Sequence, residues 1–263
     1  MKRILSLATA VVALAGFASA EFAFGQSPFF PEPQPDASCP PVQNTIFGTD
    51  NNDSRTGTAL NDVMFAGQGD DVFEGEAGDD CLILGTGNDR GDGDDGEDRL
   101  IGEDGDDRLS GSDGDDRITG QGGNDSLNGG DDNDRLSGGL GNDRFSAGNG
   151  DDEASGGSGD DTLSMGGGAD RGSGAGGNDR VSGGPQGDRV SGGSGADRVS
   201  GDSGNDRVAG NGGRDTLFGG GGRDRMLARG GGVDTVNCGR GRDVAIVDED
   251  DTASSDCEIV RVG

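Results

Sequence analysis

From Gly48 to Ile246 the chain places about one apolar residue in every nine, among glycine, aspartate, serine and arginine. The stretch SGGSGADRVSGDSGNDRVAG, residues 191–210, contains two copies of this pattern, with Val199 and Val208 as their apolar residues. In each copy a polar–apolar–polar triplet such as RVS predicts a short strand with one side chain directed inward. The six residues that open each copy are rich in glycine and predict a turn.

Aspartate recurs with the same period. Twenty aspartates from Asp53 to Asp224 are nine residues apart, and after one inserted residue the register resumes at Asp234 and Asp243. When the units are numbered so that this aspartate is sixth, position 4 is glycine in 18 of 22 units and position 8 is apolar in 19. The exceptions are Asn51, Leu60, Asp132 and Gln186 at position 4, and Arg55, Gly91 and Gly172 at position 8.

This period predicts an all-β fold. Two units complete one coil of strand, turn, strand and turn, and units 18 residues apart then stack as parallel neighbours about 4.8 Å apart. We therefore expect a parallel β-roll, a β-helix solenoid with two parallel sheets and about eleven coils of two nonapeptides each. One inward row runs from Arg55 to Val236 and the other from Met64 to Ala245. Ala154 and Gly172 are neighbours in the second row and predict a weakly packed place there.

Composition shows that apolar burial alone does not explain folding. The chain has 58 glycines, no Trp, Tyr or His, and a formal net charge of −30. One buried apolar side chain per nonapeptide does not offset the conformational entropy of ordering nine residues. Stacking also places carboxylates of like charge close together. Cations are therefore the expected partners, whereas nucleic acid and anionic membranes are not.

The unit reads G-G-x-G-x-D-x-U-x, where U is apolar, and over about three-quarters of the chain it resembles the RTX, or haemolysin-type, calcium-binding nonapeptide repeat. The resemblance implies that each calcium ion is held between turns two units apart by position-6 aspartates and backbone carbonyls. Asp179 and Asp197 would share one ion, and Asp188 and Asp206 another.

Calcium takes about 6–8 oxygen ligands, whereas magnesium demands a tighter octahedral geometry, so calcium is the better fit. Up to about 20 Ca²⁺ ions are implied by the resemblance. The implied ligands are Asp62, Asp71, Asp80, Asp89, Asp98, Asp107, Asp116, Asp125, Asp134, Asp143, Asp152, Asp161, Asp170, Asp179, Asp188, Asp197, Asp206, Asp215, Asp224 and Asp234.

Some units depart from the pattern. The first carries Arg55 at its inward position and is expected to serve as a cap. Asp132 and Gln186 replace the position-4 glycine and put those two turns in doubt. Late units carry arginine beside the ligand aspartate, where positive charge is expected to weaken calcium binding; these are Arg214, Arg223 and Arg242.

The chain divides into four segments. Residues 1–20 have a positive start, an apolar stretch and a small-residue site, which predict a secretory signal peptide cleaved after Ala20. Residues 21–46 form a lead-in and N-terminal cap rich in proline and phenylalanine. Residues 47–246 form the roll of 22 nonapeptides, and residues 247–263 form a C-terminal cap. No membrane span is expected.

Four cysteines in an exported chain suggest disulfides. Three pairings are possible. We favour Cys39–Cys81 and Cys238–Cys257, because each pair brackets one end of the repetitive region.

No pattern in the chain indicates an enzyme, since histidine and any nucleophile–base pair are missing. We expect a secreted calcium-binding β-roll that folds in extracellular calcium and serves a structural role at the cell surface or in the matrix. The alternative is a calcium-dependent carbohydrate-binding or adhesion module, in which stacked outward arginines such as Arg99, Arg117 and Arg135 bind an anionic polysaccharide. Charge balance is the simpler explanation of these arginines. GTGND at residues 85–89 hints at ice binding, but a flat threonine array is missing.

Overall fold

The computed structural model describes Cys39 and residues 43–263. The expected signal peptide, its cleavage after Ala20 and the lead-in before residue 43, apart from Cys39, lie outside the described residues. Within the described part, 25 strands follow one another. Their bounds are β1 Asn44–Phe47, β2 Ser54–Thr58, β3 Asp62–Gln68, β4 Val72–Glu76, β5 Cys81–Thr86, β6 Arg90–Asp95, β7 Arg99–Asp104, β8 Arg108–Asp113, β9 Arg117–Gly122, β10 Ser126–Asp131, β11 Arg135–Leu140, β12 Arg144–Asn149, β13 Glu153–Ser158, β14 Thr162–Gly167, β15 Arg171–Gly176, β16 Arg180–Pro185, β17 Arg189–Ser194, β18 Arg198–Gly204, β19 Arg207–Gly212, β20 Thr216–Gly222, β21 Arg225–Ala228, β22 Thr235–Gly241, β23 Val244–Val247, β24 Thr252–Ala253 and β25 Ile259–Val262.

Successive strands alternate between two parallel sheets. The odd-numbered strands form sheet A, with 13 strands, and the even-numbered strands form sheet B, with 12. Each strand pairs in parallel with the strand one coil away, so that Val181 lies opposite Val199 and Val190 opposite Val208. The predicted two-sheet parallel β-roll and its 18-residue stacking are confirmed.

The strands are longer than the three residues predicted for them. A typical strand such as β17, Arg189–Ser194, takes positions 7–9 of one unit and positions 1–3 of the next. The turn is therefore positions 4–6 alone, and the expected six-residue turn is wrong. Position 1 is a second inward position. Because it is glycine in most units, the hydrophobicity pattern does not indicate this. In β17 both Val190 and Gly192 are buried.

Position 8 supplies most of the apolar interior, as predicted, and position 1 supplies the rest. Leu84 and Met165 occupy position 1 and are fully buried. Their units are the ones in which position 8 is glycine, Gly91 and Gly172. A Cβ added at Gly172 would lie 2.9 Å from Met165 Sδ, and one at Gly91 would lie 3.1 Å from Leu84 Cδ1. The large side chain has moved from position 8 to position 1 of the same unit, so Gly172 is packed and does not create the weak place expected there.

Both ends of the roll extend beyond the predicted repeats. β1 pairs with β3 and begins within the residues predicted as a lead-in, while β24 and β25 belong to the predicted C-terminal cap. Both predicted disulfides, Cys39–Cys81 and Cys238–Cys257, are present. No helix in the described part of the chain is long and apolar enough to cross a membrane.

Candidate metal centre: two columns of buried aspartates

The position-6 aspartates face the interior in two columns, each at one edge where the coil turns. All twenty predicted ligands, from Asp62 to Asp234, are at most 3% exposed, and Asp243 joins them. From Asp53 to Asp224, the backbone N–H of each position-6 aspartate donates to the carboxylate Oδ1 of the position-6 aspartate one coil later. Asp179 donates to Asp197 and Asp188 to Asp206, each at 2.8 Å. The aspartates expected to share an ion are thus adjacent in one column.

The second oxygen of each carboxylate is left without a partner. In 21 position-6 aspartates, one carboxylate oxygen is buried and accepts no hydrogen bond within the described structure. An unsatisfied buried oxygen costs roughly 1–3 kcal/mol, and more when it is charged. A row of such oxygens, repeated once per turn, fits a row of cations that the carboxylates would bind.

Glycine carbonyls supply further oxygen atoms beside the carboxylates. At position 4, Gly195 has a φ of 132°, and a Cβ there would overlap the carbonyl oxygen of Gly177 in the preceding coil. The absence of a side chain thus leaves that carbonyl open. Asp132 and Gln186, whose turns were in doubt, adopt the same left-handed conformation with φ of 72° and 76°. Those two turns keep their shape.

Carbonyls are needed because carboxylates alone do not complete a site. No group of three or more His, Cys, Asp or Glu side chains converges on a point in Cys39 and residues 43–263. Each cation site would therefore consist of two aspartate carboxylates from stacked coils and of backbone carbonyl oxygens from the turns. Oxygen-only sites of this kind suit hard cations such as calcium.

Burial shifts the protonation of the columns. It raises the pKa of Asp98 to about 7 and that of Asp116 to about 8. The backbone N–H of Asp80 donates to Asp98 and that of Asp98 donates to Asp116, and these hydrogen bonds lower the two pKa values by less than burial raises them. The negative charges of nearby aspartates raise both pKa values further. The pKa of Asp179 and Asp197 is also raised, again first by burial. Without a cation, part of each column would be protonated near neutral pH. A cation and protons therefore compete for the same carboxylates.

The columns are closed at the start by the first unit, which was expected to serve as a cap, and at the other end by residues that sequence reasoning did not identify. At the start, Asp53 accepts from Thr49 N–H at 2.6 Å and pairs with Arg55 at 2.8 Å. Hydrogen bonding from Thr49 lowers the pKa of Asp53, which was left out of the predicted ligands. At the other end, Asp251 Oδ1 and Glu258 Oε2 accept the N–H groups of the last two column aspartates, Asp234 and Asp243. Asp251 and Glu258 fall outside the nine-residue period, which is why no pattern predicted them.

Position 5 carries a second, exposed row with a different role. The N–H of Asn178 donates to Asp160 Oδ1 at 2.7 Å, and the N–H of Ala196 donates to Asn178 Oδ1 at 3.0 Å. These bonds run toward the preceding coil, and the side chains face outward. Asparagine and aspartate both occur in this row, because either side chain supplies the oxygen that accepts the N–H of the next coil. The Asn178 side-chain amide also donates to Asp160 Oδ1 at 3.0 Å. The position-5 row of the other sheet uses the same bond, and there the N–H of Arg223 donates to Asn205 Oδ1 at 3.0 Å.

Comparison with known proteins agrees with this geometry. A family model described as the RTX calcium-binding nonapeptide repeat matches residues 56–90, 92–127, 128–163, 164–199 and 200–232. The chain belongs to this family. Among solved structures, the RTX chain is similar to a hyperactive, Ca²⁺-dependent, β-helical antifreeze protein from an Antarctic bacterium. The two share 18% identity with a TM-score of 0.51, over 84% of this chain and 92% of the other. That likeness concerns the fold. No curated protein matches the chain.

Proposed function

We propose that this RTX protein is a secreted calcium-binding β-roll that folds when it meets extracellular calcium and then serves a structural role at the cell surface or in the matrix. The observation that carries the proposal is the buried, partnerless carboxylate oxygen repeated in 21 turns. Membership of a calcium-binding repeat family supports the choice of ion.

The energetics support folding coupled to binding. Two unit charges 4.8 Å apart repel by about 3.5 kcal/mol at an effective dielectric constant near 20, so a fully ionised column opposes its own stacking. Bound calcium would supply the positive charge that cancels this repulsion and would cross-link successive coils. The proposed ligands are the position-6 aspartates from Asp62 to Asp234 with turn carbonyls, for up to about 20 ions. Asp243 shares their surroundings and joins the set.

Secretion is part of the proposal and has two supports. Residues 1–20 have the composition of a signal peptide, and the two disulfides suit an oxidising compartment. Expression of the full chain in a secreting host should release protein that begins at Glu21. Recovery of an uncleaved chain inside the cell would contradict this part alone.

A non-catalytic role is likewise proposed. Repeats of this family span most of the described chain, and the interior of the roll is filled with apolar side chains and aspartates. Ice binding has weaker support, because the antifreeze relative has only 18% identity and Thr86 stacks between Gln68 and Asp104 in place of a threonine row.

The experiment compares column aspartates with exposed aspartates of equal charge. Asp179→Asn with Asp197→Asn removes two proposed ligand charges. Asp151→Asn with Asp160→Asn removes two exposed position-5 charges and keeps their acceptor oxygens. Equilibrium dialysis with radioactive calcium should show fewer bound ions in the first double variant, with a higher calcium midpoint for folding. The second should match the parent chain. Equal effects in both would overturn the ligand assignment.

A further inference from the structure

The outer face of sheet A divides into two halves of different charge. From β15 to β21 its position-7 residues are arginines that lie in one row and are exposed to solvent. Arg171 lies opposite Arg189, Arg189 opposite Arg207, and Arg207 opposite Arg225. Arg223 is exposed in the turn that leads into the last of these strands. We call these five arginines the basic face.

No exposed acid interrupts the basic face. Strands β15, β17, β19 and β21 contain no Asp or Glu, and the residues at position 5 of the turns before them are Ala169, Gly187, Asn205 and Arg223. The position-6 aspartates of those turns are all buried. In a chain with a net charge of −30, this is a distinct concentration of positive charge.

The other arginine rows differ. In the first half of sheet A, β7 contains Glu103 and Asp104 and follows Glu97. Farther along the same row, Arg135 lies 3.8 Å from Glu153. Charge balance explains those arginines, including the Arg99, Arg117 and Arg135 set that first suggested a docking row. Within the residues the structure describes, no arginine of the basic face makes an ion pair or a side-chain hydrogen bond. Glu153 lies opposite Arg171 at the edge of the face, so charge balance does not explain the other four arginines.

The surface beside these arginines changes from polar to apolar along the face. A shallow depression on sheet A is bounded by Arg189 and Arg207 and lined by Ser191, Ala209 and Leu227. Ser191 Oγ lies 3.3 Å from Ser173 Oγ in the strand before it. The face therefore offers guanidinium groups at the strand spacing of about 4.8 Å, with hydroxyl groups beside the first two and apolar side chains beside the others.

We propose that the basic face binds an acidic polysaccharide along the axis of the roll. Guanidinium groups pair with carboxylates through two parallel hydrogen bonds, and a regular row suits a polymer that repeats its carboxylates. Nucleic acid fits less well, because the four strands of this face carry no aromatic side chain on which bases could stack. The proposal rests on calcium-dependent folding, which stacks four of these arginines in one row and places Arg223 beside them.

The test measures binding of oligogalacturonate by isothermal titration calorimetry in saturating calcium. Arg189→Ser with Arg207→Ser should weaken binding at least about tenfold. The matched control is Arg144→Ser with Arg180→Ser, which removes two position-7 arginines from sheet B and should change affinity less than about twofold. Far-ultraviolet circular dichroism must show the calcium-loaded fold in all variants. A milder variant, Arg207→Lys, keeps the charge and should lose less affinity than Arg207→Ser.

Several results would overturn the proposal. These are equal losses in the two double variants, undiminished binding of fully methyl-esterified oligogalacturonate, or equally tight binding of duplex DNA. A protein that folds in calcium but binds no oligogalacturonate would refute this inference and leave the proposed function intact. A protein that does not respond to calcium would refute the proposed function first.

Discussion

Met165 and Gly172 offer a direct test of how the interior is packed. Met165 is at position 1 and Gly172 at position 8 of the same unit. Most other units have glycine at position 1 and an apolar residue at position 8. Met165 is fully buried, and a Cβ at residue 172 would lie 2.9 Å from its Sδ and 3.3 Å from Val181 Cγ1. Either residue changed alone should therefore harm the fold. Changed together, they should restore the common arrangement.

The magnitudes follow from burial and contact. Met165→Ala leaves a cavity and should lower the free energy of unfolding by about 2–5 kcal/mol. Gly172→Val forces a branched side chain against Met165 and should cost about 1–3 kcal/mol. In the double variant the valine enters the space left by the methionine, so the loss should fall to about 1 kcal/mol or less. The coupling free energy is then at least about 2 kcal/mol.

The assay is urea denaturation in saturating calcium, followed by far-ultraviolet circular dichroism because the chain has no Trp or Tyr. The control combines Gly172→Val with Leu84→Ala, a buried position-1 residue in a distant coil, and should be additive within about 0.5 kcal/mol. If Met165→Ala and Gly172→Val are also additive with each other, the exchange of large residues within a unit is not what fills the core.

Three further outcomes are expected. Glu258→Ala removes the acceptor of the Asp243 N–H and should destabilise the last coil by about 1–3 kcal/mol, seen as faster amide exchange at residue 243 and unchanged exchange in the central coils. Burial raises the pKa of Asp116 to about 8 from 3.8, so the stability that this group contributes to the metal-free roll is fully present below about pH 4 and is lost as pH rises through 8. Circular dichroism in chelator that shows more strand at pH 9 than at pH 4 would contradict this. Replacing Cys238 and Cys257 by serine should lower the free energy of unfolding by about 3 kcal/mol in a urea titration, and no change would argue against a role in holding the cap.

Sequence reasoning predicted what repeats with a fixed period. Aspartate at position 6 and an apolar residue at position 8 recur so regularly that the two columns, the 18-residue stacking and the inward rows follow from this spacing together with the resemblance to the RTX repeat. The inward role of position 1 could not be predicted, because glycine occupies it in most units and gives no hydrophobic signal. Only the structure shows, through the buried side chains of Leu84 and Met165, that this position faces inward.

The ends and the basic face could not be read in the same way. Asp251 and Glu258 close the columns from a tail that does not follow the nine-residue period, so only the fold brings them to Asp234 and Asp243. The charge of an outer face depends on which strands share a sheet and on which aspartates are buried. Asp188 is buried, whereas Asp160 of similar appearance is exposed, and only their positions in the unit separate them.

Calcium titration of the chain that begins at Glu21, at pH 7.5 and followed by far-ultraviolet circular dichroism, tests the central claim most directly. In excess chelator the spectrum should be that of an expanded chain, calcium should convert it to a strand-rich spectrum, and magnesium at the same concentration should have little effect. A strand-rich, compact protein in excess chelator at this pH would contradict the claim that cations bound by the aspartate columns hold the roll together.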